Sequence, residues 1–430
     1  MFIYLNSSKL KIYFLSNFMF LLSLIFLLKF NFNLLWISIS YIFGINFFSY
    51  MLILLIMWIF AIIFMILMKL KMLNLCLYLL LLLLINLLLN FTVMELLMFY
   101  FMFEMSLIFM FLLIIMWGLG QLRLIASYYF IFYTLFFSLP MLFILFMLIY
   151  QNNVSMMFMM EMMLLTLNKF MFIYLMMSFM VKIPMFMLHG WLLKAHVEAP
   201  VFGSMILAAI LLKLGTYGFL RFNLILLNLM MIYNWMFMII SLVGSIYISL
   251  ICLRQIDMKL LVAYSSIVHM SMLLISMSSL MMMGLMGSYL MMIAHGLCSS
   301  GLFYLVNICY SQTSSRLMLI NKGMMNLMPS MTLMWFLLCS SNMSAPFSMN
   351  LVSEILLMIS IIMWLNYLII FMFILCLLSF LYSLYLFSYV QHGQLNFYLM
   401  NINNGKLIDY MVLMLHWLPL NLMIFKMFFL

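Results

Sequence analysis

Charged side chains are scarce in this sequence. Only 6% of its 430 residues are charged, and no more than seven residues are Asp or Glu. A soluble domain carries roughly 25% charged residues, so the composition excludes a soluble protein. The hydrophobic share of 71% indicates instead that the chain lies in a lipid bilayer.

Signals for cofactor or metal chemistry are missing as well. No Gly-rich phosphate loop follows a strand, and no Ser/His/Asp arrangement suggests a nucleophilic active site. The cysteines lie in apolar segments without Cys-x-x-Cys or any other ligand spacing. They are Cys76, Cys252, Cys298, Cys309, Cys339 and Cys376. We therefore expect no redox centre, cofactor or metal ion in this chain, and we interpret the thiols as small core residues.

Polar and apolar residues do not alternate, which excludes a transmembrane β-barrel. Runs such as residues 51–68 and 79–84 are apolar on every face. Because a helix needs about 20 apolar residues to cross a bilayer, we predict an all-α, polytopic transmembrane helical bundle of about 14 helices. The predicted crossings are residues 10–29, 34–46, 47–68, 72–93, 94–117, 122–150, 169–193, 199–220, 229–250, 258–279, 281–309, 329–365, 366–390 and 411–430. The first three could be two, because the polar breaks between them are weak.

The 17 basic residues form no patch, so we expect membrane lipids and no nucleic acid among the partners. They lie at helix ends, where they indicate topology. With fourteen crossings, one side has ten basic residues and the other has five. The ten are Lys29, Lys69, Lys71, Arg123, Lys194, Arg254, Lys259, Arg316, Lys322 and Lys406, and the five are Lys9, Lys11, Lys169, Arg221 and Lys426. The positive-inside rule then places both termini opposite the matrix or cytoplasm, provided that the helix count is even.

Two prolines lie well inside apolar runs. Pro184 and Pro346 lack the N–H that bonds four residues back, so the carbonyls of Met180 and Asn342 lose a partner within the membrane. Transporters built from repeats place their ion sites beside such broken helices. A packing kink is the simpler interpretation of either proline taken alone.

Six ionisable residues lie away from the helix ends, where ions are costly. Each central ion opposes insertion by roughly 2.5–3.5 kcal/mol. Structural ion pairing would explain any one of them, but together they predict a proton path. They are Glu104, Lys182, Lys213, His269, His295 and Glu354.

The lysines are suited to carrying protons, because burial disfavours the ammonium and a nearby carboxylate favours it. Lys182 lies two residues before Pro184, and Glu104 is a candidate partner for it. Lys213 has Ala209 and Tyr217 one turn to either side, so it could be the next relay.

The histidines have hydroxyls nearby in sequence. Ser265 and Ser266 precede His269 by four and three residues, and Ser299 follows His295 by four. Such hydroxyls could support bound water beside imidazoles that accept and donate protons near neutral pH. We leave open whether His189 and His196, which flank a polar turn, are loop or helix-end residues.

Four stretches have recognisable motifs. They are VKIPMFMLHGWLLKAHVEAPVFGSMILAAILLKLGTYGFLR at 181–221, ICLRQIDMKLLVAYSSIVHM at 251–270, MIAHGLCSSGLFYL at 292–305 and ELLMFYFMFEMSLI at 95–108. All four stretches resemble segments of the antiporter-like subunit family of mitochondrial NADH:ubiquinone oxidoreductase, respiratory complex I, and they occur in the same order along the chain. The resemblance covers about residues 90–420. Composition is consistent with an organelle genome, since 58 Met and 44 Phe suggest codons rich in A and T.

The resemblance implies an architecture. Family helices 4–8 and 9–13 would form two inverted five-helix repeats, with helices 7 and 12 broken. Residues 1–430 would form one membrane-embedded domain, with N-terminal helices in 1–93, most of the first repeat in 94–220, the second repeat in 229–390 and a C-terminal helix in 411–430. Both termini would lie on the intermembrane-space side.

The resemblance also implies roles. Glu104, Lys182 and Lys213 match family helices 5, 7 and 8, and His269 and His295 match helices 10 and 11. Glu354 matches the family's helix 12 carboxylate, whereas the related chains 2 and 5 look as though they use Lys there. All six would relay protons across the mitochondrial inner membrane, driven by electron transfer from NADH to ubiquinone in other subunits.

The expected partners are the other membrane-arm subunits, especially the chain 2 and chain 5 antiporter-like subunits. Departures from the family pattern occur at Gly190, Leu193, Ala345–Phe347 and Ser353. They leave the shape of the loop after helix 7 and the local geometry of helix 12 open.

Two other functions remain open at this point. A free-standing or Mrp-type sodium/proton antiporter would share the fold and many motifs. A structural scaffold with unused charges is the third possibility, and alanine at Lys182 would separate it from the others.

Overall fold

The computed structural model describes residues 8–29, 37–40, 42–67, 73–163, 165, 167–394 and 404–427. The first part of the chain contains α1 (Ser8–Lys29), β1 (Ile37–Ser40), β2 (Phe43–Ile45), α2 (Phe47–Leu67), α3 (Leu73–Thr92), α4 (Leu96–Trp117), α5 (Arg123–Asn152), α6 (Met157–Glu161), α7 (Lys169–Lys182) and α8 (Gly190–Glu198). The rest contains α9 (Val201–Ile206), α10 (Leu212–Ile225), α11 (Leu227–Cys252), α12 (Met258–Ser278), α13 (Met282–Thr313), α14 (Met324–Leu327), α15 (Pro329–Asn342), α16 (Met349–Trp364), α17 (Ile369–Gln391) and α18 (Leu407–Met427). A π-helical turn at Leu207–Leu211 joins α9 to α10, and a 3-10 turn at Asn366–Leu368 precedes α17.

The chain has the polytopic helical membrane architecture that the sequence predicts. Within the described ranges, eleven helices are long and apolar enough to cross a membrane. Two further apolar segments are interrupted, α7 with α8 and α15 with α16. The breaks fall at Pro184 and Pro346, which confirms the predicted interruptions.

The predicted crossing at residues 34–46 is wrong where the structure describes it. Ile37–Ser40 and Phe43–Ile45 form an antiparallel hairpin. Thirteen helical residues would span only about 20 Å, which is short of a hydrocarbon core of about 30 Å. The hairpin joins the end of α3, where the Met94 N–H donates to the Ile42 carbonyl at 2.8 Å.

One compact unit comprises Met1–Lys182, Glu198–Ile206 and Ile210–Tyr233. In it α7 packs against α5 and α10, and α4 packs against α3 and α5. Gly218 allows a close approach of α10 to α7, because a Cβ there would lie 2.2 Å from a ring carbon of Phe179. This contact brings α10 against α7.

The second compact unit comprises Ile183–Val197, Leu207–Ala209 and Asn234–Leu430. Its helix α13 is buried along a whole membrane-length window and packs against α12, α16 and α18. A hydrophobic cluster joins α11, α12, α16 and α17. Its buried members are Met238, Leu242, Met272, Ile275, Ile361, Met372 and Leu375.

Candidate functional site

The first unit pairs two of the predicted residues. Lys182 is the last residue of α7, and Glu104 lies in the middle of α4. The Lys182 Nζ is 3.9 Å from Glu104 Oε1, and both side chains are largely buried. A cation and an anion at this separation in a buried setting interact strongly, so the charge state of each depends on the other.

Two contacts with Phe103 favour the charged form of Lys182. Its Nζ donates to the Phe103 carbonyl at 3.3 Å and lies 2.7 Å from the centroid of the Phe103 ring. The Glu104 carboxylate has Tyr100 and Ser138 as electrostatic neighbours. The helix ends at Lys182 because Pro184 cannot continue it, so the lysine lies at a break in the hydrogen-bond ladder.

Lys213 is the third predicted residue of this unit, and its exposed fraction is 0%. It lies on α10, two residues after the π-helical turn Leu207–Leu211. Such π-turns are rare and are found frequently at functional sites. Within α10, the Thr216 hydroxyl donates to the Lys213 carbonyl at 3.0 Å.

Sequence reasoning missed an ion pair in the same unit. Arg221 was predicted to be a loop-end residue, but α10 continues to Ile225 and Arg221 is only 1% exposed. Its Nη1 lies 3.6 Å from Glu161 Oε1, and its Nε and Nη2 each donate to the Tyr217 hydroxyl at 3.0 Å. The spacing of Lys213, Tyr217 and Arg221 by four residues was the available signal for this face.

The second unit brings the other predicted residues together. His269 Nδ1 on α12 lies 3.6 Å from Glu354 Oε1 on α16. Its Nε2 lies 3.2 Å from the hydroxyl of Tyr382 on α17, and its ring centroid is 5.8 Å from that of His295 on α13. Four helices thus place one carboxylate, two imidazoles and one phenol at one buried location.

Glu354 also contacts the second helix break, the segment between α15 and α16. The Ser344 hydroxyl, between α15 and α16, donates to Glu354 Oε2. Ser344 and Phe347 adopt left-handed backbone conformations, with φ of 56° and 66°, on either side of Pro346. Such conformations in residues other than glycine store strain and cluster at functional sites. A cavity of about 240 Å³ lies beside this segment, lined in part by Ser341 and Ser348.

The hydroxyls near the histidines donate to carbonyls of their own helices. Ser265, Ser266 and Ser299 donate to the backbone carbonyls of Val262, Ala263 and His295, at 2.8, 2.7 and 2.6 Å. Their protons are therefore used within their own helices, and only their lone pairs remain for water.

His189 and His196, whose placement the sequence left open, have different environments. His196 is buried in α8, and its ring stacks on Phe303 at 4.6 Å. His189 lies in the break before α8, with the rings of Phe186 and Tyr264 6.0 and 6.5 Å away. Over the described part of the chain, no three His, Cys, Asp or Glu side chains are grouped in a way that could hold a metal ion.

Interrupted helices with buried, paired ionisable residues beside the breaks define a class, the antiporter-like ion-translocating membrane proteins. Residues 93–380 match the family described as NADH:quinone oxidoreductase/Mrp antiporter, transmembrane. The chain is 50% identical to NADH-ubiquinone oxidoreductase chain 4 of Apis mellifera ligustica, over 79% of this chain and 76% of that protein. The protein of the same name from Aedes aegypti is 45% identical over 99% of this chain and 96% of its own length. The chain belongs to the NADH-ubiquinone oxidoreductase chain 4 family.

Solved structures share the fold. A chain of respiratory complex I from Thermus thermophilus with bound NADH superposes with a TM-score of 0.88 at 22% identity, covering 97% of this chain and 91% of its own length. A chain of the Mrp complex from a Dietzia species gives 0.83 at 16% identity, covering 96% and 47%. At these identities the likeness concerns the fold alone.

Proposed function

We propose that the chain is a core membrane-arm subunit of mitochondrial NADH:ubiquinone oxidoreductase that translocates protons across the inner membrane. Electron transfer from NADH to ubiquinone in other subunits drives this transport. The observation that supports it best is the pairing of Lys182 with Glu104 beside one helix break and of His269 with Glu354 beside the other. The curated relatives have this enzyme's name.

In the first unit, Lys182 is the group that loads and releases a proton. Glu104, at 3.9 Å, favours the ammonium, and burial favours the neutral amine. A small increase in their separation therefore lets the amine release its proton, and a decrease lets it load one. Lys213 is the next buried site on the path.

In the second unit, Glu354 and His269 exchange the proton. The His269 imidazole can accept a proton on one nitrogen while the other faces the Tyr382 hydroxyl at 3.2 Å. Ser344 connects Glu354 to the break, where the cavity of about 240 Å³ has room for several waters.

The order of elements supports two repeats. Glu95 and Asp257 each form an isolated bridge just before a helix with a relay residue, and their partners are Met156 and Leu317. Three residues before each partner, a residue with a left-handed backbone caps the end of a long helix. These residues are Asn153, after α5, and Ser314, after α13.

The prolines fit the same register. Pro184 follows Glu95 by 89 residues, and Pro346 follows Asp257 by the same 89. The same number of residues therefore separates the acidic residue of the isolated bridge from the proline of the helix break in both halves. This equal spacing favours the inverted five-helix repeats of antiporter-like subunits.

The orientation follows from the number of crossings. With eleven continuous and two interrupted segments among the described residues, the crossings number thirteen, so the termini lie on opposite sides. The side of the N-terminus then has eleven basic residues and the other side has four. The four are Lys29, Lys169, Arg221 and Lys426. The positive-inside rule places the N-terminus in the matrix, which replaces the expectation for an even count.

The partners are other membrane-arm subunits, with the chain 2 and chain 5 antiporter-like subunits as neighbours. The solved structures of similar fold are of multisubunit membrane complexes, which supports assembly of this kind. We expect no redox centre or bound cofactor in this chain.

The test is proton transport by complexes that contain Lys213 variants. Lys213→Ala removes a buried ion and a relay site, so assembly should persist while proton uptake into inner-membrane vesicles falls several-fold. Lys213→Arg should be impaired too, because guanidinium does not release its proton. Normal uptake per assembled complex in both variants would contradict the proposal, and so would isolation of the wild-type chain as an active monomer.

A further inference from the structure

Three polar residues follow one another along one face of α10. Lys213, Tyr217 and Arg221 are spaced by four residues, and each is at most 1% exposed. The Arg221 guanidinium donates from Nε and Nη2 to the Tyr217 hydroxyl, both at 3.0 Å. Two donors to one phenol oxygen hold the guanidinium in a fixed position on this face.

Glu161 connects this face to the surface. Its Oε1 lies 3.6 Å from Arg221 Nη1, and its side chain remains 20% exposed. The segment that contains Glu161 is held in place by backbone bonds to the start of α4. The Leu96 N–H donates to the Ser155 carbonyl at 3.1 Å, and the Met157 N–H donates to the Met94 carbonyl at 2.9 Å.

The two partners differ in their acid–base behaviour. A guanidinium side chain is not deprotonated in proteins, whereas a carboxylate can take up a proton. Burial raises the pKa of the Glu161 carboxyl above its ordinary value, and the Arg221 cation opposes that rise. Glu161 is therefore the member of the pair that titrates, and its side chain is the more exposed of the two.

The charge of the pair acts on Lys213. Arg221 follows Lys213 by eight residues, which is about 12 Å along a helix axis. With an effective dielectric constant of about 20, a unit charge at that distance changes a protonation equilibrium roughly tenfold. An ionised Glu161 opposes this effect of the Arg221 charge, whereas a protonated Glu161 does not.

We infer that Glu161 and Arg221 are positioning residues that set the protonation of Lys213, so that a proton taken up by Glu161 at the surface disfavours a proton on Lys213. The inference rests on the proposed function, because it concerns Lys213 as a proton carrier. The Glu161→Gln variant leaves the other ionisable residues of the elements packed around α10 unsubstituted. They are Lys169 and Lys182 on α7, Glu104 on α4, Glu95 just before α4, and Tyr217 on α10 itself.

The experiment measures proton uptake per assembled complex as a function of pH. Glu161→Gln keeps the size of the side chain and removes the negative charge 3.6 Å from Arg221 Nη1. Because the ammonium of Lys213 is then disfavoured, loading it requires a higher proton concentration. We expect the pH profile of uptake to move to lower pH by up to about one unit, the tenfold effect estimated above.

Two further variants make the result specific. Glu161→Gln combined with Arg221→Met removes both charges, so the profile should return towards that of the wild type. Glu95→Gln is the matched control, since it removes a carboxylate from the adjoining start of α4 and leaves Arg221 paired. We expect the profile of this control to stay unchanged.

The outcomes separate the possible roles. If Glu161→Gln lowers the amount of assembled complex but leaves the pH profile in place, the pair only stabilises the fold and the inference fails. It also fails if the double variant is shifted as far as the single variant. If Lys213→Ala pumps normally, the proposed function fails instead, whatever the Glu161 variants show.

Discussion

The buried pair of Glu104 and Lys182 makes a quantitative prediction. At the observed 3.9 Å, and with an effective dielectric constant of about 20, the carboxylate stabilises the ammonium by about 4 kcal/mol. Glu104→Gln removes this electrostatic stabilisation and leaves the weaker attraction between the Lys182 ammonium and the Phe103 ring, of about 2 kcal/mol. A buried cation without its partner is heavily penalised, so Lys182 avoids the cost by giving up its proton.

The consequence is a graded loss of transport. A loss of about 4 kcal/mol moves a protonation equilibrium by roughly a thousandfold, so Glu104→Gln should abolish most proton uptake. Glu104→Asp withdraws the charge by about 1.5 Å, which leaves about 3 kcal/mol of the interaction and should cost less activity. NADH-driven proton uptake into inner-membrane vesicles, normalised to assembled complex, measures both.

A double-variant cycle tests the coupling itself. Lys182→Met removes the cation, after which the Glu104 carboxylate has no lysine to stabilise. The combination of Glu104→Gln with Lys182→Met should therefore lower uptake by less than the sum of the two single losses, expressed as logarithms. Strict additivity of the single losses would show that the residues act independently, and the paired mechanism would have to be abandoned.

Two further predictions concern the second unit and the topology. Tyr382→Phe removes the hydroxyl 3.2 Å from His269 Nε2, and with it a hydrogen bond of about 1 kcal/mol. Proton uptake by fully assembled complex should therefore fall about fivefold. Unchanged uptake would show that Tyr382 is not part of the proton path. For the topology, a tag fused before Met1 should resist protease added to mitoplasts, and a tag after Leu430 should be cleaved. Cleavage of both tags would show that both termini lie on the same side and that the number of crossings is even.

Sequence reasoning was most successful where one residue type has a strong physical consequence. Pro184 and Pro346 predict the two helix breaks, because no neighbouring residue can replace a missing N–H. Charges inside apolar runs identify Glu104, Lys182 and Glu354 as unusual, because insertion penalises each of them. The partners of these residues come from helices distant in sequence, so only the packing of those helices brings them together.

The errors have physical causes as well. Residues 34–46 are apolar, but hydropathy does not register that a segment this short cannot cross the bilayer as a helix, and there the chain forms a hairpin. Arg221 follows an apolar run and so resembles a topology signal. Its ion-pair partner Glu161 lies 60 positions earlier and shares no motif with it.

The register of the proposed repeats explains why the two halves use different chemistry at their breaks. The spacing that aligns Glu95 with Asp257 and Pro184 with Pro346 aligns Lys182 with Ser344. The first half therefore has an ammonium before its proline, whereas the second half has a hydroxyl that donates to Glu354 on the following helix. Protonation adds a positive charge at Lys182 and removes a negative charge at Glu354. Both events raise the local charge by one, so a helix break with either residue responds to the same electric field in the same direction.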